Sequence, residues 1–214
     1  MYNCQRGNDV PLKQFTDTKL ALGCDTTLTI VTKTTSQEVS RIFNMLWLEI
    51  FKFEKKFSRF LPDSELSKFN RNAGIKTEIS KEFEDILRVS NEMSEKTNGY
   101  HNPFVLPALH RFGYEKSFVS KHDDSSFESH SADQIVDYTN LVVSTGFATI
   151  PKNTSIDLGG CGKGYLADKL GKIISKYKID GFWFSIGGDI IARGNNESNT
   201  SWQLTIQDAD KPTT

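Results

Sequence analysis

The sequence predicts an α+β protein, with helices packed on a sheet, and three observations carry that expectation. An apolar stripe at helical intervals follows Thr35. Alternating or continuously apolar β-type segments flank glycine turns near Gly23 and Gly187. Strand-like and helix-like stretches then follow one another without the regular βαβ rhythm of a doubly wound parallel sheet.

Leu20 to Lys33 is rich in Thr, Leu, Ile and Val, with Leu28, Ile30 and Thr32 on one alternating face. It predicts a strand, or two short strands broken near Gly23. Thr35-Ser36-Gln37-Glu38 has the spacing of a helix capping box, in which the first side chain satisfies an otherwise unpaired backbone N–H. Behind it Ile42/Phe43, Leu46/Trp47, Ile50 and Phe53 mark an amphipathic helix whose aromatic stripe serves packing. Pro62-Asp63-Ser64 supplies a turn and an N-cap for a short helix from Glu65 to Asn70. Ser80 caps a further helix bearing Phe83, Ile86/Leu87, Ser90 and Met93, and Asn98-Gly99 gives it a left-handed stop.

Pro103 and Pro107 predict an irregular stretch better suited to a binding loop than to a ladder strand. Lys121 to Gln134 is polar, and its two His and several Asp lack a metal-like spacing, so it reads as a solvated loop. Leu141 to Ser144 and Ser155 to Leu158 read as short strands. Lys163 to Tyr177 reads as a helix with Leu166, Leu170, Ile173/Ile174 and Tyr177 inward, closed by Asp180-Gly181. Phe182 to Ile186 is a buried strand. Gly187-Gly188-Asp189 turns it into Ile190 to Arg193, and Trp202 to Gln207 alternates as one more.

A formal net charge of −1 argues against a general polyanion binder such as a nucleic-acid protein. Cys4, Cys24 and Cys161 have no CxxC spacing, which disfavours both a disulfide framework and a zinc site and fits a reducing compartment. Only three residues precede Cys4, so it reads as a thiol in a frayed terminus and not as an acylation site. No apolar run has the length of a membrane span; the greasiest, 42–57, is interrupted by Glu49, Lys52, Glu54, Lys55 and Lys56. A cytoplasmic protein is therefore expected from the sequence as given, and a periplasmic or membrane-associated one if a further N-terminal segment exists.

The strongest chemical signal is Asp157-Leu158-Gly159-Gly160-Cys161-Gly162-Lys163-Gly164. Glycines let backbone N–H groups approach an anion, and a following helix adds its positive end. A P-loop would need Gly where Asp157 stands and Ser or Thr where Gly164 stands; a Rossmann fingerprint would need Gly at Tyr165. Both motifs fail. What remains is a strand-end carboxylate, Asp157, suited to accepting from a ribose or base, and Lys163, suited to neutralising phosphate. A tight turn without ligand is the other reading of the same residues. Gly187-Gly188-Asp189 is a second candidate, otherwise a hairpin turn. Phe60 is a third, able to stack on a planar ring and otherwise a core residue.

In order along the chain come Leu22-Gly23, then Phe57-Ser58-Arg59-Phe60 with Ser64-Glu65-Leu66-Ser67-Lys68-Phe69-Asn70, then Thr97-Asn98-Gly99-Tyr100-His101-Asn102-Pro103. Ile156-Asp157-Leu158-Gly159-Gly160 with Lys163-Gly164-Tyr165 and Asp168 follows, and Ser185-Ile186-Gly187-Gly188-Asp189-Ile190 closes the series. This order resembles the ApbE family of FAD:protein FMN transferases over about residues 20 to 208. The resemblance implies a T-fold-like α+β domain at 20–210, with mixed or antiparallel sheet and helices, after an extension at 1–19. It implies FAD as substrate, Mg²⁺ as cofactor, and transfer of FMN to a Ser or Thr of a target flavoprotein bearing a D-x-x-S/T-G-A-S/T-like acceptor, with AMP released. By position, Leu22, Phe60, Tyr100, His101, Asn102, Asp157, Lys163, Gly187, Gly188 and Asp189 would line the flavin-nucleotide site, and the Gly160 carbonyl would be one Mg²⁺ ligand.

The sequence also departs from the family pattern. Leu22 replaces the usual Met, Phe60 the usual Tyr, Asn102 an Asp, Phe104 a Thr, Leu106 a Gly, and Ser185-Ile186 an Asn-Ala. Family segments T-S-G-x-Y and H-I-x-D-P-x-T-G, the latter donating an Asp and a Thr to the metal, have no counterpart before Thr214, so a further segment or a separate chain is expected to complete the metal site. No catalytic residue is assigned. An FAD-binding protein without turnover, an FAD pyrophosphatase and a non-catalytic interaction domain remain open alternatives.

Overall fold

In the computed structural model, which describes residues 10–111 and 136–205, the β-rich stretch around Gly23 is a hairpin. Strands β1 (Lys13–Ala21) and β2 (Cys24–Thr32) meet across Leu22-Gly23, whose φ angles of 56° and 69° are both left-handed. That two-residue turn matches the right-handed twist of the strands it joins. The chain thus forms two strands here, and the first begins within the stretch expected as an extension.

β6 (Gly181–Ile186) and β7 (Asp189–Gly194) form a second tight hairpin over Gly187-Gly188, and the four strands make an antiparallel sheet ordered β1-β2-β6-β7. Cross-strand partners Asp17, Leu28, Phe184 and Ile191 share one face. On that face lie α1 (Ser36–Phe57) and α5 (Gly162–Ile174). Trp47 of α1 donates from Nε1 to Asp17 Oδ2 at 2.7 Å, and Ile191 abuts Gly171 of α5. Thr35 is the N-cap, its hydroxyl accepting from the Glu38 N–H at 3.3 Å, while the Glu38 carboxylate pairs with Arg41 and does not complete the box; Ile42, Leu46, Trp47, Ile50 and Phe53 are buried.

A smaller antiparallel sheet, ordered β3-β5-β4, comprises β3 (Thr77–Glu78), β4 (Val142–Ser144) and β5 (Phe147–Thr149). Helices α2 (Glu65–Arg71) and α3 (Lys81–Lys96) join it to the rest of the fold. Glu84 of α3 accepts from the Gly146 N–H at the β4–β5 turn at 3.0 Å. Phe57, Phe69 and Phe83 interlock α1, α2 and α3, with ring centroids 5.5 and 5.3 Å apart, a spacing favourable for tilted and edge-on aromatic pairs. Asn98 and Gly99 both take positive φ just after α3, as a left-handed stop requires.

Three expectations are corrected. The stretch with Pro103 and Pro107 is helical: a 3₁₀ turn, Pro103–Val105, runs into α4 (Leu106–Arg111). Both prolines sit in first turns, where no intrahelical N–H is required of them. Ser155 to Leu158 joins no ladder; side chains and loops take up its backbone groups instead. Trp202 to Thr205 is not a strand, and Trp202 donates from Nε1 to the Arg193 carbonyl at 3.1 Å. Ile206, Gln207 and the polar run 121–134 lie outside the described residues. Among the described residues no helix is long and apolar enough to cross a membrane.

Candidate functional site

The glycine corner leads into α5 and is held from two sides. Asn70, at the end of α2, accepts from the Ile156 N–H and donates to the Ile156 carbonyl, both at 2.9 Å. One amide side chain thereby acts as a strand partner for a single residue, satisfying both of its backbone groups. The Asp157 N–H donates to the Pro103 carbonyl at 2.8 Å. Asp157 then folds over its own turn, Oδ1 accepting from the Gly159 N–H at 2.6 Å. A Cβ at Gly159 would lie 2.7 Å from that oxygen, so a larger residue here would have to displace the Asp157 carboxylate.

Cys161 is the N-cap of α5 and makes no side-chain cap bond, so that helix end keeps its partial positive charge. Burial pushes the Cys161 thiol up to about 11, which leaves it protonated and unreactive near neutral pH.

A cleft of about 540 Å³ opens at this corner, lined among others by Leu22, Arg59, Phe60, Asp157, Gly159 and Lys163. The Leu22 N–H donates to Glu54 Oε1 at 2.9 Å, which pins the hairpin tip of β1–β2 to α1. Arg59 Nε stands 3.1 Å from Asp157 Oδ2, and the guanidinium carbon lies 4.4 Å from the centre of the half-exposed Phe60 ring. Lys163 extends toward the other hairpin tip: a Cβ at Gly187 would lie 2.9 Å from its Nζ and 2.7 Å from Cys24 Sγ. Both tight hairpins of the main sheet therefore point at the start of α5.

The structure brings Leu22, Phe60, Asp157 and Lys163 to one cleft, with Gly187 against Lys163. His101 packs behind the corner: a Cβ at Gly160 would stand 3.0 Å from its Nδ1, while its Nε2 is 3.0 Å from the Ser90 hydroxyl. Burial lowers the His101 pKa from the usual 6.5, favouring the neutral ring. Asn102 is occupied in its own turn, accepting from the Phe104 N–H at 3.0 Å and donating to the Val136 carbonyl at 2.9 Å. Tyr100 is 95% exposed and does not line the cleft. Gly188 has open space where a Cβ would stand, and Asp189 faces a second hollow of about 400 Å³ together with Gly160 and Asp168.

Sequence reasoning assigned no role here to Asn70, Arg59 or Glu54. A polar amide ending a capped helix, and a cation beside an exposed aromatic, were the available signals.

Among the described residues no three His, Cys, Asp or Glu side chains come together as a metal centre. Gly160, Asp168 and Asp189 border one hollow, and with the other described residues they form no such group. The described residues do not by themselves fit a Mg²⁺ site.

Fold and cleft together define an α+β protein with a cleft at a helix start, lined by Lys163, Arg59 and the half-exposed Phe60 ring. The chain belongs to the ApbE family, whose sequence model matches residues 22–214. It is 27% identical over 197 residues to the FAD:protein FMN transferase of Haemophilus influenzae, covering 89% of this chain and 54% of that protein. To the protein of the same description from Klebsiella pneumoniae it is 26% identical over 166 residues, covering 75% and 47%. The structure resembles the flavin transferase ApbE from Vibrio cholerae with a TM-score of 0.77 at 18% identity, covering 92% of this chain and 64% of that one. The apo flavinyl transferase ApbE of Pseudomonas stutzeri gives 0.76 at 15%, covering 92% and 63%. The ApbE-like α+β fold is thereby shown, and the chain spans about half the length of the curated relatives it matches.

Proposed function

We propose that the chain binds FAD in the corner cleft and acts in moving its FMN half to a Ser or Thr hydroxyl of a target flavoprotein. The observation that carries this reading is the convergence of Leu22, Phe60, Asp157 and Lys163 on one cleft at the start of α5. Phe60 offers a ring face for the isoalloxazine, and Leu22 adds apolar contact. Lys163 and the N-terminal end of α5 supply positive charge where the diphosphate lies. Asp157 retains acceptor capacity for ribose or base beside its two present partners. In the reaction the acceptor hydroxyl oxygen bonds to the FMN phosphorus, the P–O bond to the AMP half breaks, and AMP departs with the bridging oxygen. The hydroxyl proton leaves with a base that is not assigned to any described residue. Mg²⁺ belongs to this reading, with the Gly160 carbonyl as one ligand. The described residues supply no complete ligand set for it.

That incomplete set favours one second reading, FAD binding without turnover. Incubation with FAD, Mg²⁺ and a peptide bearing a D-x-x-S/T-G-A-S/T acceptor separates the possibilities. A peptide gaining the mass of FMN, with AMP released, supports transfer. FMN and AMP without modified peptide indicate hydrolysis, and bound FAD without either product indicates a binder. A protein that retains no flavin at all overturns the assignment.

A further inference from the structure

Arg59 lines the cleft wall and carries a buried donor left without a partner among the described residues. Its side chain is 13% exposed, its Nε is engaged by Asp157 Oδ2, and its Nη1 is buried without a hydrogen-bond partner among the described residues. A guanidinium carries five N–H donors in a rigid fork, and leaving a desolvated charged donor unpaired is costly. Only one of the five is engaged by Asp157, and the residue lines the cleft, so the guanidinium keeps donor capacity that an anion in the cleft can take up. The surroundings fix where the fork lies. Asp157 is itself anchored through the Pro103 carbonyl and the Gly159 N–H, and the Phe60 ring lies 4.4 Å from the guanidinium carbon. The Arg59 carbonyl accepts from the Ser67 hydroxyl at 3.4 Å, which ties the loop to the first turn of α2. The group is therefore preorganised, and it lines the same cleft as Lys163.

We propose that Arg59 is a second anion-contacting residue of this cleft, donating to the diphosphate of the bound dinucleotide, with Asp157 and Phe60 holding its fork in place. The inference rests on FAD being the occupant, but its core, that Arg59 receives a diphosphate, is tested without the flavin. Inorganic pyrophosphate, riboflavin and FAD are each titrated into the full chain, its Arg59→Gln variant and its Arg59→Lys variant. Loss of one charge-assisted hydrogen bond weakens binding by about tenfold or more. The expected result is that loss for pyrophosphate and FAD in Arg59→Gln, a smaller loss in Arg59→Lys, and riboflavin binding unchanged in both.

Equal loss for all three ligands means that Arg59 acts only by shaping the wall, and overturns the proposal. So does unchanged pyrophosphate affinity in Arg59→Gln. A native chain that binds pyrophosphate but not FAD sinks the FAD assignment and still reads out Arg59. A native chain that binds neither sinks both. Circular dichroism and a urea melt establish that each variant is folded, and Arg59→Lys keeps the test decisive if Arg59→Gln is not.

Discussion

Gly159 and Gly187 shape the corner through the atoms they lack. At Gly187 a methyl group would meet Lys163 Nζ and Cys24 Sγ within 3 Å, and its φ of +58° strains any L side chain. Gly188, with φ of +97° and open space around it, is the matched control. Gly187→Ala is expected to lower stability by about 1–2 kcal/mol and to weaken FAD binding by displacing Lys163. Gly188→Ala should lower stability while leaving FAD affinity as it was. Urea melts and flavin-fluorescence titrations of the two variants check both statements; equal affinities would separate Lys163 from the ligand.

His101 makes a pH prediction. Its folded pKa lies below the usual 6.5 because burial penalises the charged ring. The unfolded chain then binds the proton more readily than the folded one, so this contribution to stability is present above pH 6.5 and is lost as pH falls through the folded value. Urea midpoints measured at falling pH should decline more steeply for the native chain than for His101→Gln. Identical slopes would show that the ring titrates as in the unfolded chain.

At the scale of elements, α2 is a short helix with a positioning role. Ser64 caps it, accepting from the Ser67 N–H at 3.0 Å, and Glu65 accepts from both the Ser80 N–H and hydroxyl at the start of α3. Its far end delivers Asn70 to the fully buried Ile156, one residue before Asp157. Asn70→Ala leaves a buried N–H and C=O unpaired and is expected to cost about 2 kcal/mol or more. Because the strand-like segment is held by that side chain, hydrogen exchange at the Ile156 amide should accelerate more than exchange in β2. Unaltered protection at Ile156 would mean that other contacts hold the corner. Ser64→Ala removes one cap and should cost about 1 kcal/mol in the same melts.

At the scale of the whole molecule, a charge network fastens the helical layer. Lys169 of α5 pairs with Glu49 of α1 at 3.0 Å and Glu82 of α3 at 2.7 Å, and Lys56 of α1 pairs with Glu82 at 3.0 Å and Glu65 of α2 at 3.7 Å. Burial alone would raise the Glu82 pKa, but hydrogen bonds and charge from Lys169 and Lys56 outweigh it and hold the carboxyl below its usual 4.5. Glu49 is lowered likewise: burial opposes, and Lys52 and Lys169 prevail. A depressed carboxyl stabilises the fold above the unfolded value and loses that contribution as pH falls through the folded one. Lys169→Met is therefore expected to cost about 1 kcal/mol at neutral pH, discounted for partial solvent access, and to flatten the acid limb of the stability profile. Urea midpoints at neutral pH and below pH 4.5 measure both effects, and an unchanged acid limb would remove the network from the account.

The glycine corner, the capped helices, the break near Gly23 and the hairpin at Gly187-Gly188 were legible in the sequence because each depends on residues close along the chain. Thr35 reaches an N–H three residues away, a tight hairpin needs only its two turn residues, and helical periodicity is a local property. The same locality explains what was not legible. Ser155 to Leu158 looks like a strand, yet its backbone partner is an amide side chain 86 positions earlier. The Asn102 side chain joins its own turn to Val136, 34 positions on. Tyr100 and His101 are neighbours in sequence, and the stop after α3 sends one into solvent and the other behind Gly160. Arg59 and Asp157 meet only once α1 and the glycine corner are packed. By itself the sequence determined the capped helices, the strands around the Gly187 turn and the glycine corner before α5; tertiary structure decided which side chains share the cleft, because that choice depends on burial and contact between distant segments.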